Sequence, residues 1–165
     1  YAKFLLGNER TGIARVGFSK ARLKRIRELA SLEHVGSHRI IDDPKFREKL
    51  SAVEIELKAL EMTQLRVVAG DRKRDKGKPD PASSILKLKG SQIQQTSTEL
   101  LREVVGPYVM PFAMSDEGSG RNETGYGPDY AAGAAPAYFN TRKVSIYGGS
   151  NEIQRNIIAK AILGF

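Results

Sequence analysis

The stretch "DPKFREKLSAVEIELKALEMTQLRVVAG", Asp43 to Gly70, carries the clearest helix signals in the chain. Asp43 is a favourable N-cap, and Pro44 fits the first helical position, where its missing N–H is no loss. Gly70 is typical of a helix end. We therefore predict a long amphipathic helix from Pro44 to Ala69. The face that it would pack against other helices repeats at helical spacing: Leu50, Val53, Leu57, Leu60, Gln64 and Val67.

Comparable signals lie on both sides of this helix. Upstream, an apolar stripe predicts a helix from about Glu9 to Leu32: Ile13, Val16, Leu23, Ile26 and Ala30. Downstream, Asp80-Pro81 repeats the start signal and Gly106-Pro107 supplies a stop, which predicts a third long helix. Its apolar positions are Ile85, Leu88, Ile93, Leu100, Leu101 and Val104.

The remaining third of the chain has two parts. From Pro107 to Tyr138 the sequence is rich in Gly, Ser, Ala, Pro and Tyr without regular periodicity, which predicts an irregular segment. A shorter helix is expected to begin at Asn151, because isoleucines recur at helical spacing after it: Ile153, Ile157, Ile158 and Ile162. With no convincing alternating strand pattern, the sequence predicts an all-α, up-and-down four-helix bundle.

Composition limits the possible functions. The chain has 165 residues, 40% hydrophobic and 28% charged, which fits one globular domain. It has no cysteine, and its two histidines lack carboxylates at ligand spacing, so we expect no metal site. No membrane span or leader is visible, and a cytoplasmic location is expected.

The charge of +8 raises the question of nucleic-acid binding. The basic residues fall on one face of a predicted helix, Lys20 to Arg27, and in the polar connection Arg72 to Lys78. A solvated helix face and a polar loop account for both, and an anionic ligand or acidic partner is the remaining alternative. Without a recognition motif, we do not expect nucleic-acid binding.

The turn before the last helix, Gly148-Gly149-Ser150-Asn151, is the most informative local motif. Two glycines allow backbone amides to approach a ligand closely, and the positive end of the following helix suits phosphate or ribose oxygens. Ser150 can cap that helix or donate to a ligand. Taken alone, such a motif is in most cases an ordinary tight turn with an N-cap.

The segment "SIYGGSNEIQRNIIAKAILGF" extends this turn to the end of the chain. It resembles the C-terminal segment of acyl-CoA dehydrogenases, where a Tyr-x-Gly-Thr/Ser-x-Glu/Gln-Ile-Gln-Arg stretch meets the flavin. Also similar, in the family's order of helices, are "LLGNERTGIARVG", "LSAVEIELKALEMTQLR" and "SSILKLKGSQIQQTSTELL". The resemblance implies that residues 1–165 are the C-terminal helical domain of a larger acyl-CoA dehydrogenase, preceded by helical and β domains.

The resemblance also implies a reaction. A carboxylate removes the α proton of an acyl-CoA and a β hydride passes to FAD, giving a trans-2-enoyl-CoA. Most family members carry that glutamate directly after the tyrosine of the terminal motif, where this chain has Gly148. A minority carry it at the start of the first helix before an arginine, which corresponds to Glu9 and Arg10. Glu9 is then the implied base and Gly148 the space left for it, although Glu9 is equally an ordinary first-turn acid.

Further site residues follow from the same resemblance. It implies substrate contacts from Arg10, Tyr147 and Gly148, and FAD contacts from Gly149, Ser150 and Glu152. The Arg-x-x-Phe pattern that many members carry before the second helix is absent from "LEHVGSHRIIDDPKFREKL". The absence of this pattern makes the chain similar to a bacterial branch of the family, such as the pimeloyl-CoA type. In that branch a large subunit acts together with a smaller subunit.

The implied partners are an acyl-CoA substrate, further subunits and an electron-transfer flavoprotein. The subunits would form a homo- or hetero-oligomer through the helical bundle. The alternative interpretation is a non-catalytic scaffold subunit of a heteromeric acyl-CoA dehydrogenase.

Overall fold

The computed structural model describes residues 12, 14–71, 80–110 and 126–165. Over these residues the predicted all-α bundle is confirmed. The helices are α1 (Val16–Leu32), α2 (Pro44–Asp71), α3 (Ala82–Val105), α4 (Ala134–Thr141) and α5 (Asn151–Ile158). In the part of the chain described, no helix is long and apolar enough to cross a membrane.

Helix α1 starts later than predicted. Arg15 has a left-handed backbone conformation with φ of 46°, so a continuous helix from Glu9 to Leu32 is wrong at this residue. Within α1 the predicted stripe is buried at Val16, Leu23, Ile26 and Ala30. Ile13 lies outside the described residues.

A small hairpin that the sequence did not predict joins α1 to α2. Its strands β1 (His34–Val35) and β2 (His38–Arg39) pair antiparallel, with His34 opposite Arg39. Two-residue strands are too short to produce an alternating pattern. A single 3₁₀ turn, Ile40–Asp42, then leads into α2.

Helix α2 begins where predicted. Asp43 Oδ1 accepts a hydrogen bond from the Lys45 N–H at 3.0 Å, which caps the helix start. The helix runs to Asp71, so Gly70 lies inside its last turn and does not end it. Gln64 of the predicted stripe is half-buried, and the other five residues are buried: Leu50, Val53, Leu57, Leu60 and Val67.

Helix α3 is the centre of the bundle and packs against α1, α2, α4 and α5. Asp80 Oδ1 accepts from the Ala82 N–H at 2.8 Å, and Gly106, with φ of 60°, ends the helix. Both predicted boundaries are therefore confirmed. The buried aliphatic face, directed at α1 and α2, comprises Leu86, Ile93, Leu100 and Val104.

Helix α4 lies in the segment predicted to be irregular, and that prediction was wrong there. Pro136 is the third residue of α4, in the first turn, where backbone N–H groups have no partner within the helix. Three-residue and four-residue 3₁₀ turns flank α4, at Asp129–Ala131 and Arg142–Ser145. Residues 111–125 lie outside the described part of the chain.

Helix α5 begins at Asn151, as predicted, but buries a different face. Ile153 is 51% exposed and Ile162 46%, whereas Asn151 and Gln154 are buried against the rest of the chain. Ile157 and Ile158 are partly buried, so the predicted isoleucine stripe packs only in part. The buried positions of α5 are polar ones.

Candidate functional site: the glycine turn and the adjacent cleft

The turn between the 3₁₀ turn Arg142–Ser145 and α5 needs its two glycines. Gly148 has φ of 64° and Gly149 φ of 88°, which are left-handed conformations that favour glycine. A Cβ at Gly149 would also lie 2.8 Å from Gln154 Nε2. Backbone geometry is thus a sufficient local reason for glycine at both positions.

Gln154 holds this turn from the α5 side. Its fully buried side chain donates from Nε2 to the carbonyl oxygen of Gly148 at 3.0 Å and to that of Gly149 at 3.4 Å. Its Oε1 is buried, and no group within the described residues donates to it. Gln154 belongs to the Glu-Ile-Gln-Arg stretch of the terminal motif, but its burial was not predicted, because a glutamine on a helix is usually exposed.

The N-terminus of α5 is already capped and negatively charged. Ser150 Oγ accepts from the Ile153 N–H at 3.5 Å, and Ser150 O accepts from the Gln154 N–H at 3.0 Å. The exposed Glu152 carboxylate accepts hydrogen bonds from its own backbone N–H and from the Ser150 hydroxyl, which hold its pKa below its ordinary value. Arg155 Nη1 lies 3.8 Å from Glu152 Oε1 and offsets part of this charge, but a second anion would still meet the carboxylate, so the helix end favours hydroxyl or ring N–H groups over a phosphate.

Lys87 of α3 holds the turn from the other side. Its side chain is fully buried, and Nζ donates to Ser145 O at 2.8 Å and to Asn151 Oδ1 at 2.7 Å. Ser91 Oγ lies 3.1 Å from the same Asn151 oxygen. Burial lowers the pKa of Lys87, and the charge of Glu152 partly opposes that effect.

A cleft of about 420 Å³ lies beside Tyr147, between the start of α1 and the end of α4. Tyr147 is half exposed at its rim. Among the described residues that line the cleft, the charged ones are all cations: Arg15, Arg22 and Lys143. The cleft therefore presents a positive surface next to the glycine turn.

The cations of this cleft are held by aromatic and polar groups. The Arg22 guanidinium lies 4.6 Å from the centroid of the Phe18 ring, and Lys143 Nζ lies 5.6 Å from that of Tyr147. Arg22 Nη1 also donates to Gln94 O and Ser97 Oγ, both at 3.2 Å. Burial, with a smaller effect of Arg15, lowers the pKa of Arg22.

The structure thus brings together five of the seven predicted site residues: Tyr147, Gly148, Gly149, Ser150 and Glu152. Glu9 and Arg10 lie outside the described residues. The chain after them is fixed at Ala14, which is fully buried. A Cβ on Gly90 of α3 would lie only 2.7 Å from Ala14 Cα, so the two backbones touch at this point.

Comparison with known proteins identifies the family that carries this turn. The sequence profile described as "Acyl-CoA dehydrogenase, C-terminal domain" matches residues 1–163. The chain belongs to the acyl-CoA dehydrogenase family. It is 31% identical over 141 residues to acyl-CoA dehydrogenase IpdE1 of Mycobacterium tuberculosis, which covers 84% of this chain and 31% of that protein.

Solved structures of acyl-CoA dehydrogenases share the fold. Butyryl-CoA dehydrogenase from Megasphaera elsdenii aligns with a TM-score of 0.72 and 19% identity, over 98% of this chain and 38% of that one. The ChsE4-ChsE5 complex from Mycobacterium tuberculosis aligns with a TM-score of 0.67 and 22% identity, over 89% and 35%. The chain therefore spans about a third of the length of the relatives that it matches.

Proposed function

We propose that this chain supplies one wall of the active site of a FAD-dependent acyl-CoA dehydrogenase, which oxidises an acyl-CoA thioester to a trans-2-enoyl-CoA. The observation that carries the proposal is the pair of left-handed glycines, held by Gln154 and Lys87 beside a cationic cleft. Family membership supports the reaction class. The rigid turn supports a ligand-facing role, because bare backbone presented on a fixed frame suits a flat ligand.

The turn fits the flavin better than it fits a phosphate. FAD, when bound, supplies the hydride acceptor. Gly149 would present backbone without a side chain, while the Ser150 hydroxyl and the Glu152 carboxylate would accept hydrogen bonds from hydroxyl groups of the cofactor. The negative charge of Glu152 favours such donors and disfavours the pyrophosphate at this helix end. Gly149, Ser150 and Glu152 are therefore our candidate FAD contacts.

The cleft beside Tyr147 is our candidate substrate surface. Tyr147 and Gly148 would line the acyl portion, and Arg10 is our third candidate substrate contact. Arg15, Arg22 and Lys143 would attract the negatively charged CoA moiety, since the lining described here contains no carboxylate to neutralise them. Rate constants for acyl-CoA binding should therefore fall with increasing salt.

The base that removes the α proton remains to be assigned, and we propose Glu9. The described lining of the cleft offers only cations and neutral groups, so the carboxylate must come from another part of the protein. Glu9 is five residues before the anchored Ala14, and this length of chain reaches at most about 17 Å. A bound acyl chain would exclude water from Glu9 and raise its pKa towards neutrality, as the reaction requires.

The test compares Glu9→Gln with wild type in the full-length protein, by dye-coupled oxidation of acyl-CoA at matched flavin content. We expect the rate to fall about 10²- to 10⁴-fold, the range of a lost general base. Glu48→Gln, at an exposed position on α2, is the control and should match wild type. An unchanged rate for Glu9→Gln would make Glu9 an ordinary first-turn residue and place the base elsewhere.

A second candidate is a non-catalytic subunit of a heteromeric acyl-CoA dehydrogenase. It is favoured by the cleft's carboxylate-free described lining, because such a wall can bind an acyl-CoA without reacting with it. A purified scaffold subunit should be colourless and inactive alone. Visible flavin absorbance together with turnover in the isolated full-length protein would rule this candidate out.

We further propose that the protein assembles through the bundle and passes electrons to an electron-transfer flavoprotein. One face of α2 supports assembly, because it leaves Ile55, Met62, Leu65 and Val68 exposed. Light scattering of the full-length protein with Leu65→Glu should show dissociation if this face joins subunits. The acceptor is tested by replacing the dye with a purified electron-transfer flavoprotein.

A further inference from the structure

Lys87 is a buried cation that ordinary packing does not explain. Its side chain is fully buried in α3, yet both of its hydrogen-bond acceptors are neutral oxygens. Burying an ammonium group that no carboxylate hydrogen-bonds is costly even with the charge of Glu152 nearby, and a methionine or leucine would fill similar space without that cost. The two hydrogen bonds must therefore secure something that a hydrophobic side chain would not.

The two acceptors lie at opposite ends of the glycine turn. Ser145 O closes the 3₁₀ turn before it, and Asn151 Oδ1 belongs to the first residue of α5 after it. A single Nζ atom thus ties both ends of residues 146–150 to α3, at 2.8 Å and 2.7 Å. Hydrogen bonds donated by a charged group are shorter and stronger than neutral ones, so this contact restrains the turn more than a hydroxyl would.

Gln154 completes the restraint from inside. Its Nε2 binds the carbonyl oxygens in the middle of the turn, while Lys87 binds at its two ends. Gln154 belongs to α5 and moves with the turn, whereas Lys87 belongs to the central helix. Lys87 therefore ties the turn to the bundle at both of its ends, whereas Ser91 of α3 reaches it only at Asn151.

We propose that Lys87 is a positioning residue, which holds the turn at residues 146–150 in one location on α3 so that its backbone is preorganised for a ligand. The identity of this ligand as FAD rests on the proposed function, whereas the restraint of the turn by Lys87 does not. Preorganised contacts avoid the entropy cost of ordering a loop on binding. Loss of Lys87 should therefore weaken cofactor binding without unfolding the domain.

The experiment uses Lys87→Met in the full-length protein, with Lys89→Met as matched control. Lys89 lies on the same helix but is exposed and pairs with Glu56 at 3.1 Å, so its loss should leave the turn unchanged. Hydrogen exchange by mass spectrometry reports the turn and α5 separately from α3. FAD affinity is measured by titration of the apoprotein, and circular dichroism reports helical content.

We expect Lys87→Met to keep its helical content and to exchange amides of residues 146–155 about 10- to 100-fold faster, with those of residues 93–105 unchanged. FAD affinity should fall by a similar factor, while kcat per bound flavin changes little. Exchange at residues 146–155 equal to that of Lys89→Met would overturn the proposal. So would a uniform increase across the bundle, which would mean that Lys87 only stabilises the fold.

A second variant covers the case in which Lys87→Met does not fold. Asn151→Ala removes one of the two acceptors and leaves the Lys87 bond to Ser145 O, so it should produce the same local increase at smaller size. No increase in that variant would also overturn the proposal. If wild type binds no FAD and oxidises no acyl-CoA, the proposed function fails, but the exchange data still decide whether Lys87 positions the turn.

Discussion

The two sides of α3 pack in opposite ways. Towards α1 and α2 it presents aliphatic residues such as Leu86, Ile93 and Leu100. Towards α4 and α5 the apolar contact is a small cluster that includes Val105 and Ala134, and Lys87 and Thr98 add polar groups that bond to the C-terminal part of the chain. Aliphatic packing is strong but tolerates small shifts, whereas hydrogen bonds restrict both distance and angle. The side facing α1 and α2 mainly stabilises the fold, whereas the side facing α4 and α5 mainly positions the C-terminal part of the chain.

This difference explains why the glycine turn lies on the polar side. Hydrogen bonds from Lys87 and Ser91 of α3 reach both ends of the turn, at Ser145 and Asn151. A site that must be held to a fraction of an ångström benefits from such a support. Substitutions on the two sides should therefore have separable effects.

The largest effect should come from the aliphatic side. Ile93→Ala removes a side chain that is 1% exposed and leaves a cavity, which should cost about 2–5 kcal/mol of unfolding free energy. Urea unfolding followed by circular dichroism measures this loss. FAD affinity of the folded fraction should be unchanged, and a large loss of affinity would contradict the separation of the two sides.

Gly90→Ala should have the next largest effect. The added Cβ would meet Ala14 Cα at 2.7 Å and Ala14 O at 2.9 Å, so the chain before α1 must move away from α3. We expect a cost of about 1–3 kcal/mol, typical of overpacking. The control is Gly17→Ala on α1, where a Cβ would meet nothing within 4 Å and where helix propensity favours alanine. Equal unfolding midpoints for the two variants would refute this contact.

Arg142→Met tests the polar side away from the turn. Arg142 donates to Glu99 Oε1 at 2.8 Å and to Gln95 O and Thr98 Oγ1 at 2.9 Å. Its loss should cost about 1.5 kcal/mol and should increase hydrogen exchange mainly in α4. Arg66→Met, at an exposed position on α2, serves as the control. If hydrogen exchange instead increased evenly over the whole bundle, the polar side of α3 would contribute to overall stability in the same way as its aliphatic side.

The smallest effect concerns Glu152 and depends on pH. Its pKa is lowered in the folded state, so its hydrogen bonds contribute above the unfolded pKa and are lost as pH falls through the folded value. At neutral pH, Glu152→Gln should exchange the first amides of α5 faster than wild type. The difference should disappear in acid, once wild-type Glu152 is protonated. A difference that persists there would show that Glu152 acts through something other than its charge.

The starts of α2, α3 and α5 could be predicted because they depend on local chemistry. Asp43 and Asp80 cap α2 and α3 through their own side chains, and Ser150 does the same for α5. These bonds involve neighbours within three residues, so they are visible in the sequence. The aliphatic stripes of α1 and α2 were predictable for a similar reason, because helical spacing alone determines the face.

Other features could not be predicted, because they depend on contacts between distant residues. Lys87 and Gln154 are buried, and a hydrophobic pattern assigns such residues to the surface. Ile153 was expected in the core and is half exposed. Helix α4 was missed because its proline and the glycines before it are typical of a loop, whereas its position is set by contact with α3.

Through the contact between Gly90 and Ala14, α3 also positions the chain that precedes α1. Gly90 is three residues after Lys87, about 4.5 Å further along the helix axis. The segment that leads from Glu9 and the glycine turn are therefore attached to neighbouring points of the same helix. If α3 tilts or shifts as subunits assemble, both attachments move together. The distance between the proposed base, Glu9, and the proposed FAD contacts of the glycine turn would then be insulated from motion elsewhere in the protein.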